Sequence, residues 1–170
     1  MIYLNFLMSF VYIIYKFKFI IMSILNKKAY HEYEVLETFI AGLCLMGSEV
    51  KSIKLGKVNI KDAYCYVDNN NEVWLKNCHI SKYDSDKFTN HEELRERKLL
   101  LNKREIRKLK ASNKIEGHTI IPLKLFIHKG LIKLEIGLCR GKKMYDKRES
   151  IKEREDNRNI DRILKINNYK

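Results

Sequence analysis

His31, His79, His91, His118 and His128 show no metal-ligand spacing, and Cys44, Cys65, Cys78 and Cys139 form no Cys-x-x-Cys pair. His91-Glu92-Glu93-Leu94-Arg95 opens like a zinc-peptidase helix, but Arg95 stands where the second histidine must be. There is no phosphate-cradling glycine motif and no nucleophile elbow. Glu32 and Glu34 sit two apart, as on one strand face, where solvated charges are commoner than an acid–base pair. The cysteines lie among apolar neighbours and read as four reduced, core-filling thiols. No catalytic residue, metal, cofactor or small-molecule substrate is therefore expected.

A binding signal is much plainer. The 170 residues carry 34 Lys plus Arg against 21 Asp plus Glu, a formal charge of +13. An excess of that size favours a polyanionic partner. Bases recur along the chain: Lys27, Lys28, Lys51, Lys54, Lys57, Arg97, Lys98, Lys103, Arg104, Arg107, Lys108, Lys142, Lys143, Lys147 and Arg148. Release of counter-ions from phosphates rewards that distribution. Tyr30, Tyr33, Tyr64, Tyr66, Trp74, Tyr83, Phe88, Phe126 and Tyr145 are interleaved with them. Flat rings beside cations suit unpaired nucleotides, although Tyr64, Tyr66 and Trp74 are better read as strand-forming core.

The elements that must hold these groups are mostly strands. His31 to Leu36 alternates, and Phe39 to Met46 is a more apolar strand. Gly47 to Gly56 reads as a short helix, with Ser48 as its cap, Val50, Ile53 and Leu55 inward, and Gly56 ending it in the left-handed region. Asp62–Val67 and Val73–Lys76 flank Asp68-Asn69-Asn70-Asn71 as a hairpin. A helix starts at Asn102, whose partner three places on, Glu105, completes a capping box; it ends near Gly117 with Ile106 and Leu109 inward. Two strands follow, joined at His128-Lys129-Gly130. Ile121, Leu123, Leu125 and Ile127 share one face of the first, and Ile132, Leu134, Ile136 and Leu138 one face of the second. Pro122 belongs at a bulge or an edge.

The two ends differ from this middle. Residues 1–22 are apolar except Asn5, Ser9, Lys16 and Lys18. The uncharged run stops at Lys16, short of the roughly 20 residues of a membrane span. Met22-Ser23 reads as the working start, a leader or anchor being the alternative. Residues 140–170 carry 11 Lys or Arg against 6 Asp or Glu. Ile151, Ile160, Ile163 and Leu164 are too sparse for a core face, so this tail is read as disordered when free and helical on a partner. The expected fold class is mainly β: a small antiparallel OB-like β-barrel over 23–140 with two or three short helices, after an extension at 1–22 and before a basic tail at 141–170.

Several blocks then become specific. Asn26-Lys27-Lys28-Ala29-Tyr30-His31-Glu32-Tyr33, Gly47-Ser48-Glu49-Val50-Lys51-Ser52-Ile53 with Gly56-Lys57 and Asp62-Ala63-Tyr64, Arg97-Lys98-Leu99-Leu100-Leu101-Asn102-Lys103-Arg104-Glu105, Gly117 to Leu123, and Gly137 to Arg148 follow one another in the order of the SsrA-binding protein (small protein B) family. This chain resembles that family over about residues 24–165. The resemblance implies an OB-like barrel that grips the tRNA-like end of transfer-messenger RNA and serves trans-translation, the rescue of stalled ribosomes. The implied partners are that RNA, the small-subunit decoding site and message channel of the ribosome, and elongation factor Tu. It implies a tail that turns helical in the empty channel, carried by Gly141, Tyr145, Asp146, Lys147 and Arg148. Asn26, His31, Leu100 and Asn102 join the bases Lys27, Lys28, Lys51, Lys54, Lys57, Arg97, Lys98, Lys142 and Lys143 as the expected RNA-binding set. Asn102 has a competing role as a helix cap. One departure is Ile40, standing where many members carry a glutamate before Ala41-Gly42. A generic OB-type RNA-binding or ribosome-accessory protein is the runner-up, and a membrane-anchored basic protein a third class.

Overall fold

The computed structural model describes residues 23–84 and 90–143. Nine strands and three helices are described: β1 (Ser23–Leu25), α1 (Lys27–Glu32), β2 (Tyr33–Leu43), α2 (Gly47–Lys54), β3 (Val58–Asn59), β4 (Tyr64–Val67), β5 (Val73–Lys76), β6 (His79–Ile80), β7 (Arg97–Leu100), α3 (Lys103–Ser112), β8 (His118–His128) and β9 (Leu131–Gly141). The main sheet runs β1-β8-β4-β5-β7-β2-β9, and β9 pairs back onto β8, so six strands close a ring with β1 added outside. All of its pairings are antiparallel. The mainly β, OB-like class expected from the sequence is thus the observed one. Closure leaves few free strand edges. β3 and β6 form a separate two-stranded ribbon; neither it nor β1 was foreseen in the sequence.

The core fills the ring. Ile53 of α2, Leu75 of β5, Leu99 of β7, Leu109 of α3, and Leu134 and Ile136 of β9 are buried together. The predicted inward face of β9 holds in full: Ile132, Leu134, Ile136 and Leu138 all belong to this cluster. A second, smaller cluster of Ala29, Ile121, Leu123 and Cys139 lies beneath α1, with Tyr33 and Val35 packed on it.

The predicted face of β8 needs correction. Ile121 and Leu123 face the small cluster, whereas Leu125 and Ile127 face the ring interior with Ile120. The pairing with β9 explains the change. Pro122 faces Ile136 and Lys124 faces Glu135, so Leu123 is an extra residue and the alternation shifts phase. Proline is tolerated there because it has no N–H to lose from a regular ladder. Beside it, β2 slips between Val35 and Glu37, making Leu36 extra. Gly137 is the counterpart of the β8 bulge. A Cβ at Gly137 would stand 2.8 Å from Leu123 Cδ1 and 3.0 Å from Cys139 Sγ.

Other differences are local. His31 and Glu32 belong to α1, and the two expected strands over 31–46 are one strand from Tyr33. Asn26 starts α1 by accepting a hydrogen bond from the Ala29 N–H at 3.1 Å, a capping signal that the strand-like alternation conceals. α2 begins before Ser48, its N-cap being Met46, and Leu55 is 61% exposed. Gly56 does end that helix at φ 78. α3 starts after Asn102 as expected, with the Asn102 N–H donating to Glu105 Oε2 at 2.8 Å, but stops at Ser112. The β4–β5 hairpin and the β8–β9 turn form as read, with Asn71, Lys129 and Gly130 at positive φ. Cys65, Cys78 and Cys139 are buried core residues, and Cys44 is exposed. Burial pushes the thiols of Cys78 and Cys139 up to about 11, so both stay protonated and inert near neutral pH.

Gly137→Ala is expected to lower stability by about 1–3 kcal/mol, because Leu123 is fully buried and has little space to yield. Urea denaturation checks this; an unchanged midpoint would show that the bulge can relax.

Candidate nucleic-acid interface

The basic surface is positioned by a buried anion. α2 brings Glu49 inward, and its side chain is fully buried. The Met46 N–H donates to Glu49 Oε2 at 2.7 Å. Arg95 Nε and Arg97 Nε each donate to Oε1 at 2.8 Å, and an Arg95 terminal nitrogen donates to Oε2 at 2.5 Å. Burial alone would raise the carboxyl, but the hydrogen bonds from Arg95, the Met46 amide and Arg97 outweigh it and hold Glu49 below the ordinary carboxylate range. The guanidinium of Arg97 also donates to the carbonyls of Cys78, Arg95 and Glu93 at 2.7, 2.9 and 3.1 Å.

This corrects two members of the expected RNA-binding set. Arg97 is 0% exposed and committed to Glu49 and three carbonyls, so it is a structural cation. Asn26 is likewise 0% exposed. Its Nδ2 donates to Ile60 O at 3.0 Å and Pro122 O at 2.9 Å, pinning α1 to β8 and to the turn after β3. Neither can touch a ligand without leaving these bonds unmade.

The remaining residues fall into three places. α1 presents Lys27 and Lys28, both exposed, with His31 half-buried. The end of β9 joins them: the Lys142 N–H donates to Glu32 O at 2.9 Å, and Lys142 Nζ to Tyr30 O at 3.2 Å. Gly141 is exposed beside this junction, pairing with Tyr33. The N-terminal basic block and Lys142 are therefore one surface, and Lys143, exposed, follows directly in the chain.

α2 presents Lys51, Lys54 and Lys57 on and just after its outer face, all exposed. Lys51 Nζ lies 5.0 Å from the Tyr83 ring centroid, and Lys57 pairs with Asp84 at 2.5 Å. The third place is the end of β7. Leu100 is 53% exposed and lies across from Gly42, where a Cβ would come within 3.3 Å of the Leu100 Cβ. Ile40, two residues along the same face of β2, is 61% exposed. Asn102 is exposed at the start of α3, and Lys98 pairs with Glu72. Tyr145, Asp146, Lys147 and Arg148 lie outside the described residues.

Several exposed bases lie outside the expected RNA-binding set. Lys103, Arg104 and Arg107 line the outer face of α3, and Lys61 follows the β3 strand. Their signal was available: Ile106 and Leu109 fix which side of α3 is inward, and these bases occupy the other. The exposed pairs Lys28–Asp62, Lys57–Asp84 and Lys108–Glu37 are each worth little in water, so phosphates can displace the carboxylates at small cost.

Candidate chemistry stays thin. His91 Nδ1 lies 2.9 Å from Ser48 Oγ, which resembles a base–nucleophile pair. Yet His91 and Ser48 are 3% and 5% exposed, and His91 Nε2 is held by Ile80 O at 3.0 Å. Arg95, where a second zinc-binding histidine would stand, serves Glu49. Among the described residues no group of three or more His, Cys, Asp or Glu is placed to hold a metal ion.

A family model described as SmpB protein matches residues 23–166. An SsrA-binding protein of Phocaeicola vulgatus is 51% identical over 145 residues, covering 85% of this chain and 96% of the relative. One from Bacillus cytotoxicus is 50% identical over 140 residues, covering 82% and 90%. A solved chain described as "tmRNA-SmpB: a journey to the center of the bacterial ribosome" superposes with a TM-score of 0.61 at 39% identity, covering 72% of this chain and 85% of that one.

Glu49→Gln is expected to cost about 3–5 kcal/mol of stability, since it leaves Arg97 buried without its counter-charge. The pH sign follows from the lowered carboxyl. Its contribution is complete above its ordinary value of 4.5 and is lost as pH falls through the lower folded value. Denaturation of both proteins across that acid range should show a weaker pH slope in Glu49→Gln; parallel curves would count against the network.

Proposed function

The chain belongs to the SmpB protein family, and from that membership we propose that it is a non-enzymatic RNA-binding adaptor of trans-translation. It binds the tRNA-like domain of transfer-messenger RNA and delivers it to ribosomes stalled on messages without a stop codon. The observation that carries this reading is the match at about half identity along nearly the whole length of relatives that bear the SsrA-binding name. The surface supports it. Exposed lysines on α1, α2 and the start of the tail are spread over a rigid ring, which suits phosphate contacts that position a folded RNA.

Roles divide along the chain. Residues 23–140 form the RNA-gripping body, and 141–170 form a basic tail that enters the vacant message channel and becomes helical there. Lys147 and Arg148 act in that channel, and Tyr145 stacks on a ribosomal base. A tail that folds only where the channel is empty senses occupancy by steric exclusion. Elongation factor Tu accompanies the complex. The working place is the cytoplasm, where ribosomes stall. Among the described residues no helix is long and apolar enough to cross a membrane.

Two outcomes test the division. Replacing Lys147 and Arg148 by Ala should leave affinity for the tRNA-like domain within about two-fold while abolishing peptide tagging in a reconstituted translation assay; equal loss of both would overturn it. For the body, affinity for that RNA should fall roughly a hundred-fold between about 50 and about 200 mM salt, the response expected of about four phosphate contacts. A flat salt titration would contradict phosphate-led binding.

A further inference from the structure

A cleft lies between α1, the segment leading into β4, and β8. Lys28, Glu32 and Tyr33 form one wall, and Lys61 and Tyr64 the other. Thr119 and Ile121 of β8 also line it. The fold leaves this opening for a definite reason. β4 meets β8 at the single pair Cys65–Ile120, and β1 pairs with β8 only from Lys124 onward. Between them the β8 edge is bulged at Leu123 and is reached by Asn26 through Pro122 O and Leu123 O.

The lining has an unusual make-up for a structural crevice. Tyr64 remains 37% exposed, although its neighbour Cys65 is buried in the core. Two tyrosines line the cleft with two lysines and Glu32, and Lys28 and Asp62 of its lining form an exposed pair at 2.7 Å. Flat rings, cations and a carboxylate acceptor match the three parts of a nucleotide: the base face, the phosphate and the sugar or amino hydrogens.

We propose that this cleft takes one unpaired nucleotide of a bound RNA, its base against Tyr64 and Tyr33 and its phosphate between Lys28 and Lys61, with Asp62 as the carboxylate that the phosphate displaces. The inference rests on the RNA-binding reading above and adds to it a single-nucleotide subsite. The nucleotide comes either from the tRNA-like domain of transfer-messenger RNA or from ribosomal RNA, which share this chemistry.

The test is zero-length ultraviolet crosslinking of the full chain in two arms, one with a transcript of that tRNA-like domain and one with ribosomes, followed by mass mapping. Nucleotide adducts on Tyr64 or Tyr33 in either arm are expected, and the arm that yields them names the source. In that arm Tyr64→Leu should weaken binding about ten-fold, the loss of one stacked base, while Tyr64→Phe stays near wild type. Adducts confined to other segments in both arms, or a folded Tyr64→Leu protein with full affinity in both, would overturn the cleft while leaving the adaptor function standing. If Tyr64→Leu does not fold, the adduct map of the wild-type protein decides alone. A wild-type chain that binds neither RNA would instead refute the functional reading itself.

Discussion

The carboxylate of Glu49, sealed between two arginines, is the interaction on which the rest of the structure depends. It belongs to α2, Arg97 belongs to β7, and Arg95 belongs to the approach to that strand. One anion therefore fixes a helix against the ring. Arg97 adds carbonyls from the turn after β5 and from the segment before β7, so three stretches of chain meet at one guanidinium. Such a network is costly to desolvate and is tolerated because nearly every donor finds an acceptor. Its return is rigidity. Lys51, Lys54 and Lys57 lie on and beyond the outer side of the same helix, so their spacing is set from within.

A formal charge of +13 on a chain of this length has to be carried without unfolding it by self-repulsion. The solution on the described surface is to answer some bases with exposed carboxylates and to leave others to solvent. Lys28, Lys57 and Lys108 have partners. In water these pairs are weak, and on a polyanion each partner can be exchanged for a phosphate. The acidic residues are thus temporary counter-ions, and the surface is prepared for RNA without being unstable in its absence.

The paired slips in β2 and β8 serve a different end. By inserting Leu36 and Leu123 they turn the neighbouring side chains outward, where Ile121, Leu123, Val35 and Cys139 make a second apolar patch. α1 covers that patch through Ala29 and is locked by Asn26. The seat so formed holds Lys27 and Lys28 beside Lys142, whose ammonium donates to Tyr30 O. Gly137 is required because the extra leucine lies over it.

Much of this was legible in the sequence for reasons that are local. Alternation two residues apart marked β9 and the β4–β5 hairpin; the Asn102–Glu105 spacing marked the start of α3; glycine and asparagine marked the turns. Each depends on neighbours a few positions away, and so survives in the linear order. The family blocks carried the function, and the charge carried the class of partner. What the sequence could not decide was where a local rule yields to a distant one. His31 alternates like a strand but is helical because Asn26, bonded to residues 34 and 96 positions away, caps it. Arg97 and Asn26 look like RNA ligands, yet Arg97 is consumed by a carboxylate 48 residues off. The phase of β8 turns on one bulge against β9, and the meeting of Lys142 with Tyr30 spans 112 positions. Burial and pairing over such separations are properties of the closed ring, and only the folded chain brings those groups within bonding distance.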